Sequence, residues 1–267
     1  SGTSSIKAIG TSDKPIIFTS ADTTGFQPFK PYTNSGTGGW NSILFKALST
    51  NADSSVFKFC TFEYSKGISS GGTESSTITI YDSARVYISH CTFYKNYGTK
   101  TNSGTQGSGG GAIRAHKARV TIDNCFFNEN YCFDRFQYGG GGAIAAYQSN
   151  LKIINCTFIN NSKKDSYGGA VYSQESFIDL ANSILYGNSD LTGNNSLYGS
   201  SFRIYNCDVE GLNIFGTNII ENSFSADPLF TNTHTGDYSL QPNSPCINGG
   251  NPSYIPSENA VDINGNN

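Results

Sequence analysis

Residues 110 to 161 carry nearly the same text twice, GGAIRAHKARVTIDNCFFNEN from Gly110 and GGAIAAYQSNLKIINCTFINN from Gly141. A third copy, GGAVYSQESFIDLANSILYGN, starts at Gly168. Self-similarity at a period near 30 residues means a solenoid, in which each repeat buries its apolar face only against its neighbours.

Aligning the copies on their cysteine shows what one coil must be. The column runs Cys60, Cys91, Cys125, Cys156, with Ser183 in its place in the next coil and Cys207 after that. Five and three residues earlier the text is apolar, as in Val120 and Ile122 or Leu151 and Ile153, and two residues later it is apolar again, with Phe62, Phe93, Phe127, Phe158, Leu185 and Val209. Steps of two mean strands. The inward phase slips by one between them, so the chain bends at the intervening residue: Asn124, Asn155, Asn182 and Asn206, with Phe59 and His90 as exceptions. Asparagine tolerates the left-handed backbone of a one-residue corner, and stacked carboxamides can bond from rung to rung. A second polar column follows at Asn96, Asn130, Asn161 and Asn188.

With the GGA[IV] strand pointing Ile113, Ile144 and Val171 inward, each coil has three strands. The expected fold is all-β, a single right-handed parallel β-helix of about nine coils with terminal caps, on the order of 40 to 45 Å long at the usual strand spacing. One domain covers 1–267, with N-terminal coils and a covering loop over 1–55, central repeats over 56–206, and C-terminal coils and a cap over 207–267. Trp40 reads as a packing residue. Column cysteines read as buried free thiols, since seven cysteines at one per coil do not suit a disulfide framework. Cys132, in a loop, is the candidate reactive thiol, and Cys246 also lies outside the column.

Charged residues make up 14% of the chain and the net charge is −3 without runs, so a basic stripe for nucleic acid is missing. No apolar run approaches the length of a membrane span. The opening at Ser1 without a signal peptide reads as a piece of a longer chain.

The loops that join one coil to the next differ between repeats, and such loops on one edge of a repeat scaffold are where binding is built. They bring Tyr131, Asp134, Arg135 and Tyr138 beside Lys164, Asp165 and Tyr167, a mixture of aromatic faces and polar groups that suits sugar rings. Arg114 and Tyr172, on the outward side of the GGA strands, extend this candidate ligand-binding set. The alternative is that these aromatics cover the barrel wall.

Three GGA[IV] strings, each near an F-x-x-N string (Phe93 to Asn96, Phe127 to Asn130, Phe158 to Asn161), resemble the repeats of chlamydial-type polymorphic outer-membrane proteins, which are surface-exposed adhesins. GTSDKPIIFTS, GWNSILF, ADPLF and GDYSLQPNSPCINGGNP look like secreted β-helix proteins of the pectate-lyase-like superfamily. The resemblance implies an extracellular or cell-surface location and a glycan or host-surface ligand. It also sets an alternative, a polysaccharide lyase or glycoside hydrolase, and a third reading, a spacer. A lyase needs acidic calcium ligands and a basic residue on the outward face of the GGA strands. That column reads Arg114, Ala145 and Tyr172 and holds no carboxylate, so no catalytic or metal-ligating residue is assigned and non-catalytic binding ranks first. His116 reads as a surface residue of a turn. Calcium is possible at the D-x-N-G-N string from Asp262, which lacks a distal glutamate.

Overall fold

The computed structural model describes residues 5–24, 26, 38–46, 54–67, 76–100, 109–134, 139–163, 165–212 and 217–254. Arg135, Tyr138, Lys164 and the string at Asp262 lie outside the described residues.

The coil around Cys125 shows how the text folds. Ile113–His116, Arg119–Asp123, Phe126–Asn128 and Tyr131–Asp134 are four short strands, each paired in parallel with its equivalents in the coils before and after. Repetition makes four sheets, of six, eight, seven and five strands in coil order. Each coil therefore has four faces rather than the expected three. The missed fourth strand follows a second corner, at Tyr64, Lys95, Glu129, Asn160 and Gly187, all left-handed with φ between 51° and 66°. The corner foreseen before the cysteine is also left-handed, with φ of 48° to 53° at Asn124, Asn155, Asn182 and Asn206 and similar values at Phe59 and His90.

Like residues stack above like, so each column is one continuous contact. Ile78, Ile113, Ile144 and Val171 point inward and are fully buried. The rings of Phe18, Phe62, Phe93, Phe127 and Phe158 form a pile with centroids 4.5 to 4.8 Å apart and planes within 12° of parallel. Burying one such side chain stabilises the fold by roughly 1.5 to 3 kcal/mol.

The buried polar columns are hydrogen-bonded by one repeated device. Cys91 Sγ donates to Ser89 O at 3.1 Å and accepts the Cys60 amide at 3.4 Å, and Cys125 does the same toward Asp123 O and the Cys91 amide. Ser183 does this with a hydroxyl, accepting from the Cys156 amide and donating to Ala181 O. A thiol and a hydroxyl are interchangeable there because each supplies one donor and one acceptor. The column cysteines are unbridged, as expected, and so are Cys132 and Cys246. Rung-to-rung carboxamide bonding falls on the second asparagine column, not on the corner. Asn96, Asn130 and Asn161 each donate Nδ2 to the Oδ1 of the next asparagine at 2.9 to 3.0 Å, and that same oxygen accepts their backbone amide. This column points into the barrel, where amides need each other, whereas the corner asparagines point outward.

The stack is shorter than nine coils. Five coils carry a strand on all four faces, four rung steps from first to last, and partial coils extend the longest sheet to eight strands, about 34 Å. The reason lies in residues 228–254, which add no rung. They carry a hairpin of Phe230–Asn232 and Asp237–Leu240 that folds back along the flank, where Tyr238 meets Phe126 and Asn128. Among the described residues, Ile219 and Ile220 in the last strand of the longest sheet are 48% and 42% exposed, and residues 255–267 of the expected cap lie outside the described residues. Trp40 packs against Phe18 and donates Nε1 to Glu63 O, the packing role expected of it.

Candidate functional site

The outward face of the first sheet is where the candidate residues meet, and it is not the open surface the sequence suggested. Arg114 is fully buried. Its guanidinium lies between the rings of Tyr81 and Tyr147, with Cζ 5.0 and 5.1 Å from their centroids. A desolvated cation between two aromatic faces is held by about 2 kcal/mol or more. Tyr81, His116 and Tyr147 are register partners, so the clamp follows directly from the strand pairing. His116 ends the strand and is buried against Tyr81, rather than exposed in a turn.

From that clamp a row of rings continues toward the C-terminal coils. Tyr147 meets Tyr172 at 5.6 Å, Tyr172 stacks on Tyr198 at 5.8 Å, and Tyr198 stacks on Tyr167 at 4.5 Å with planes 12° apart. Exposure grows along the row: Tyr147 is buried, Tyr172 and Tyr198 are half-buried, and Tyr167 is exposed. Burial pushes the Tyr172 hydroxyl up from its ordinary range, which keeps it a neutral donor. The structure thus brings together Arg114, Tyr167 and Tyr172, through Tyr81, Tyr147 and Tyr198, which sequence reasoning missed. The signal was present in the register: Tyr172 and Tyr198 occupy the same outward column.

Other members of the set are placed elsewhere. Tyr131 is on the fourth sheet and stacks on Tyr97 at 5.4 Å, beside a cavity of about 620 Å³. Asp165 is ion-paired with Lys163, whose side chain is fully buried. Asp134 closes the strand Tyr131–Asp134. Cys132 is not in a loop: it is buried within that strand and donates Sγ to Gly109 O at 2.9 Å, which removes it as an accessible thiol. Cys246 is partly exposed and donates to Asp208 Oδ2 at 3.2 Å, and burial beside that carboxyl pushes its thiol up to about 12.

A second concave feature lies at the corner between the second and third sheets. This groove of about 790 Å³ runs past the corner residues Phe59, His90, Asn124, Asn155 and Asn182 and the outward Thr61, Thr92, Phe126, Thr157 and Ile184, with Tyr238 of the hairpin on its far side. Behind its wall Ser89 Oγ donates to Asp123 Oδ1 at 2.6 Å and lies 2.6 Å from His90 Nδ1, while Tyr87 donates to Asp123 Oδ2. A hydroxyl that gives its proton to the carboxylate must accept from the imidazole, which places the ring proton on Nδ1.

A family model described as a right-handed β-helix region matches residues 46–244, well over half of the chain. The chain belongs to this right-handed β-helix family. No curated protein and no solved structure matches it. The match makes the parallel solenoid right-handed and leaves the activity of this β-helix to its own surface. No group of three or more metal-ligating side chains is present among the described residues, and no helix among them is long and apolar enough to cross a membrane.

Proposed function

We propose that this β-helix is a cell-surface or secreted binding module of the pectate-lyase-like superfamily, with coils of the polymorphic outer-membrane-protein kind, and that it holds a glycan without cleaving it. The row of tyrosines on the first sheet carries the reading. Its buried end is fixed by the Arg114 clamp, and its open end presents the exposed ring of Tyr167 beside the half-buried edges of Tyr172 and Tyr198, which are stacked in line with it. A pyranose ring has an apolar C–H face that packs on such rings and hydroxyls that bond at their rim. A preset row also costs little side-chain entropy on binding. Glycan-array screening of the wild type and of Tyr172→Ala and Tyr198→Ala tests this. Retention of a glycan class, weakened at least tenfold in both variants, supports it; no retention, or retention indifferent to both, defeats it.

The Asp123–Ser89–His90 relay favours a second reading, a polysaccharide-active enzyme, because it supplies a polarised imidazole at the wall of the groove. That reading requires new unsaturated or reducing ends from acidic polysaccharides incubated with the protein and calcium, lost in His90→Asn. Among the described residues the groove lining holds a single carboxylate, Asp237, where a glycoside hydrolase uses a pair, and for that reason binding stands first.

A further inference from the structure

We infer that the corner groove is a second binding site, separate from the tyrosine row, and that its occupant is an extended polypeptide segment lying along the solenoid axis. The chain itself shows the mode of binding. Asn182 Nδ2 donates to Asn251 O at 3.0 Å and its Oδ1 accepts the Asn251 amide at 2.8 Å, so one corner carboxamide grips both main-chain groups of one residue. One rung away, Asn206 Nδ2 donates to Gly249 O at 3.1 Å. Successive corner asparagines thus already hold two points of a backbone that runs past them.

The row continues beyond the part the chain's own segment covers. Asn155 and Asn124 are the next two positions, in the same left-handed corner conformation, half-exposed and lining the groove. A carboxamide offers one donor and one acceptor side by side, which matches the C=O and N–H of a peptide unit. The strip left open, from Phe59 to Asn155, spans three rung steps, about 14 Å, which accommodates about four residues of extended chain. Thr61, Thr92 and Thr157 supply hydroxyls on one side, and Phe59 and Phe126 supply apolar surface for alternate side chains. Among the described residues no Lys or Arg lines the groove and Asp237 does, so the preferred peptide is neutral to weakly basic and carries an apolar residue.

The test pans a random linear-peptide display library against the intact protein and measures enriched peptides on the wild type and on Asn124→Gly/Asn155→Gly. Glycine adopts a positive φ without strain, so this variant removes two carboxamides and leaves the corners intact, which an unchanged circular dichroism melt verifies. Peptides enriched on the wild type are expected to bind the double variant roughly 25-fold more weakly, two bidentate contacts at about fivefold each. Their affinity is expected to be unchanged in Tyr172→Ala. Failure to enrich any peptide, equal affinity for the double variant, or loss in Tyr172→Ala overturns the inference. Displacement of bound peptide by glycans that depend on Asn124 and Asn155 also overturns it, since the occupant would then be a sugar.

Discussion

Replacing Asn130 by alanine tests the internal ladder at its centre. The side chain makes four hydrogen bonds: Nδ2 donates to Phe93 O and to Asn161 Oδ1, both at 2.9 Å, and Oδ1 accepts from the Asn96 amide at 3.1 Å and from Asn96 Nδ2 at 3.0 Å. After substitution Asn161 Oδ1 keeps the Asn130 amide, and Asn96 Nδ2 keeps Phe62 O. The Asn96 amide and Phe93 O each lose a partner in a place water does not reach. Each such group costs about 1 to 3 kcal/mol, so the loss is about 2 to 6 kcal/mol. With a urea slope near 3 kcal/mol/M for a chain of this size, the midpoint falls by roughly 1 M. Far-UV circular dichroism reports the whole stack. Trp40 fluorescence reports the first coils, and comparing the two detects any loss of cooperativity between them. Asn124→Ala is the control: its carboxamide faces the groove and gives up one long contact, Nδ2 to Asp123 Oδ1 at 3.5 Å, so the main cost is the strain of a left-handed alanine, roughly 1 to 2 kcal/mol. An Asn130→Ala midpoint equal to or above that of Asn124→Ala would refute the reasoning.

Phe127→Ala interrupts the ring pile and should cost about 3 to 5 kcal/mol in the same urea experiment, whereas Phe127→Leu, which copies Leu185, should cost less than half of that. Cys125→Ser should be tolerated within about 1 kcal/mol because Ser183 already performs the same exchange, and Cys125→Ala should be worse, since it leaves the Cys91 amide without its acceptor. Under native conditions a thiol reagent should modify Cys246 slowly and leave Cys60, Cys91, Cys125, Cys132, Cys156 and Cys207 intact by peptide mapping. Burial raises the Asp208 carboxyl above its ordinary 3.8, so in the window just above 3.8 the folded state binds more protons than the unfolded one. This group's contribution to stability therefore falls as pH rises through that window, and Asp208→Asn should flatten the slope of urea midpoint against pH there.

Much of the scaffold was legible because its columns obey simple chemistry. The phenyl pile follows from apolar residues at fixed offsets, and the left-handed corners follow from Asn124, Asn155, Asn182 and Asn206. The fourth sheet was not legible because its columns are chemically mixed: Gly98, Cys132, Lys163 and Asp190 share one register position, and no apolar alternation marks it. Its corner was hidden for a related reason, since Tyr64, Lys95 and Glu129 are not residues whose intrinsic preference announces a positive φ. The carboxamide ladder was expected on the wrong asparagines because both columns recur with the same period, and only the direction of the side chain separates them. Of the candidate binding residues, Arg114, Tyr167 and Tyr172 fall on one row of rings. Tyr131 and Asp165 were drawn elsewhere by stacking with Tyr97 and by the ion pair with Lys163, contacts that adjacency in sequence does not encode.

The asparagine ladder ends in serine both ways: the Ser65 amide donates to Asn96 Oδ1, and Asn188 Nδ2 donates to Ser196 Oγ. Between those stops every rung presents the same donors to one neighbour and the same acceptors to the other. An in-frame duplication or deletion of one whole coil would rejoin matching ends and strand no amide. Rod length in this molecule is thus a variable that copying errors can change in a single event, with the chemistry of the interior left as it was.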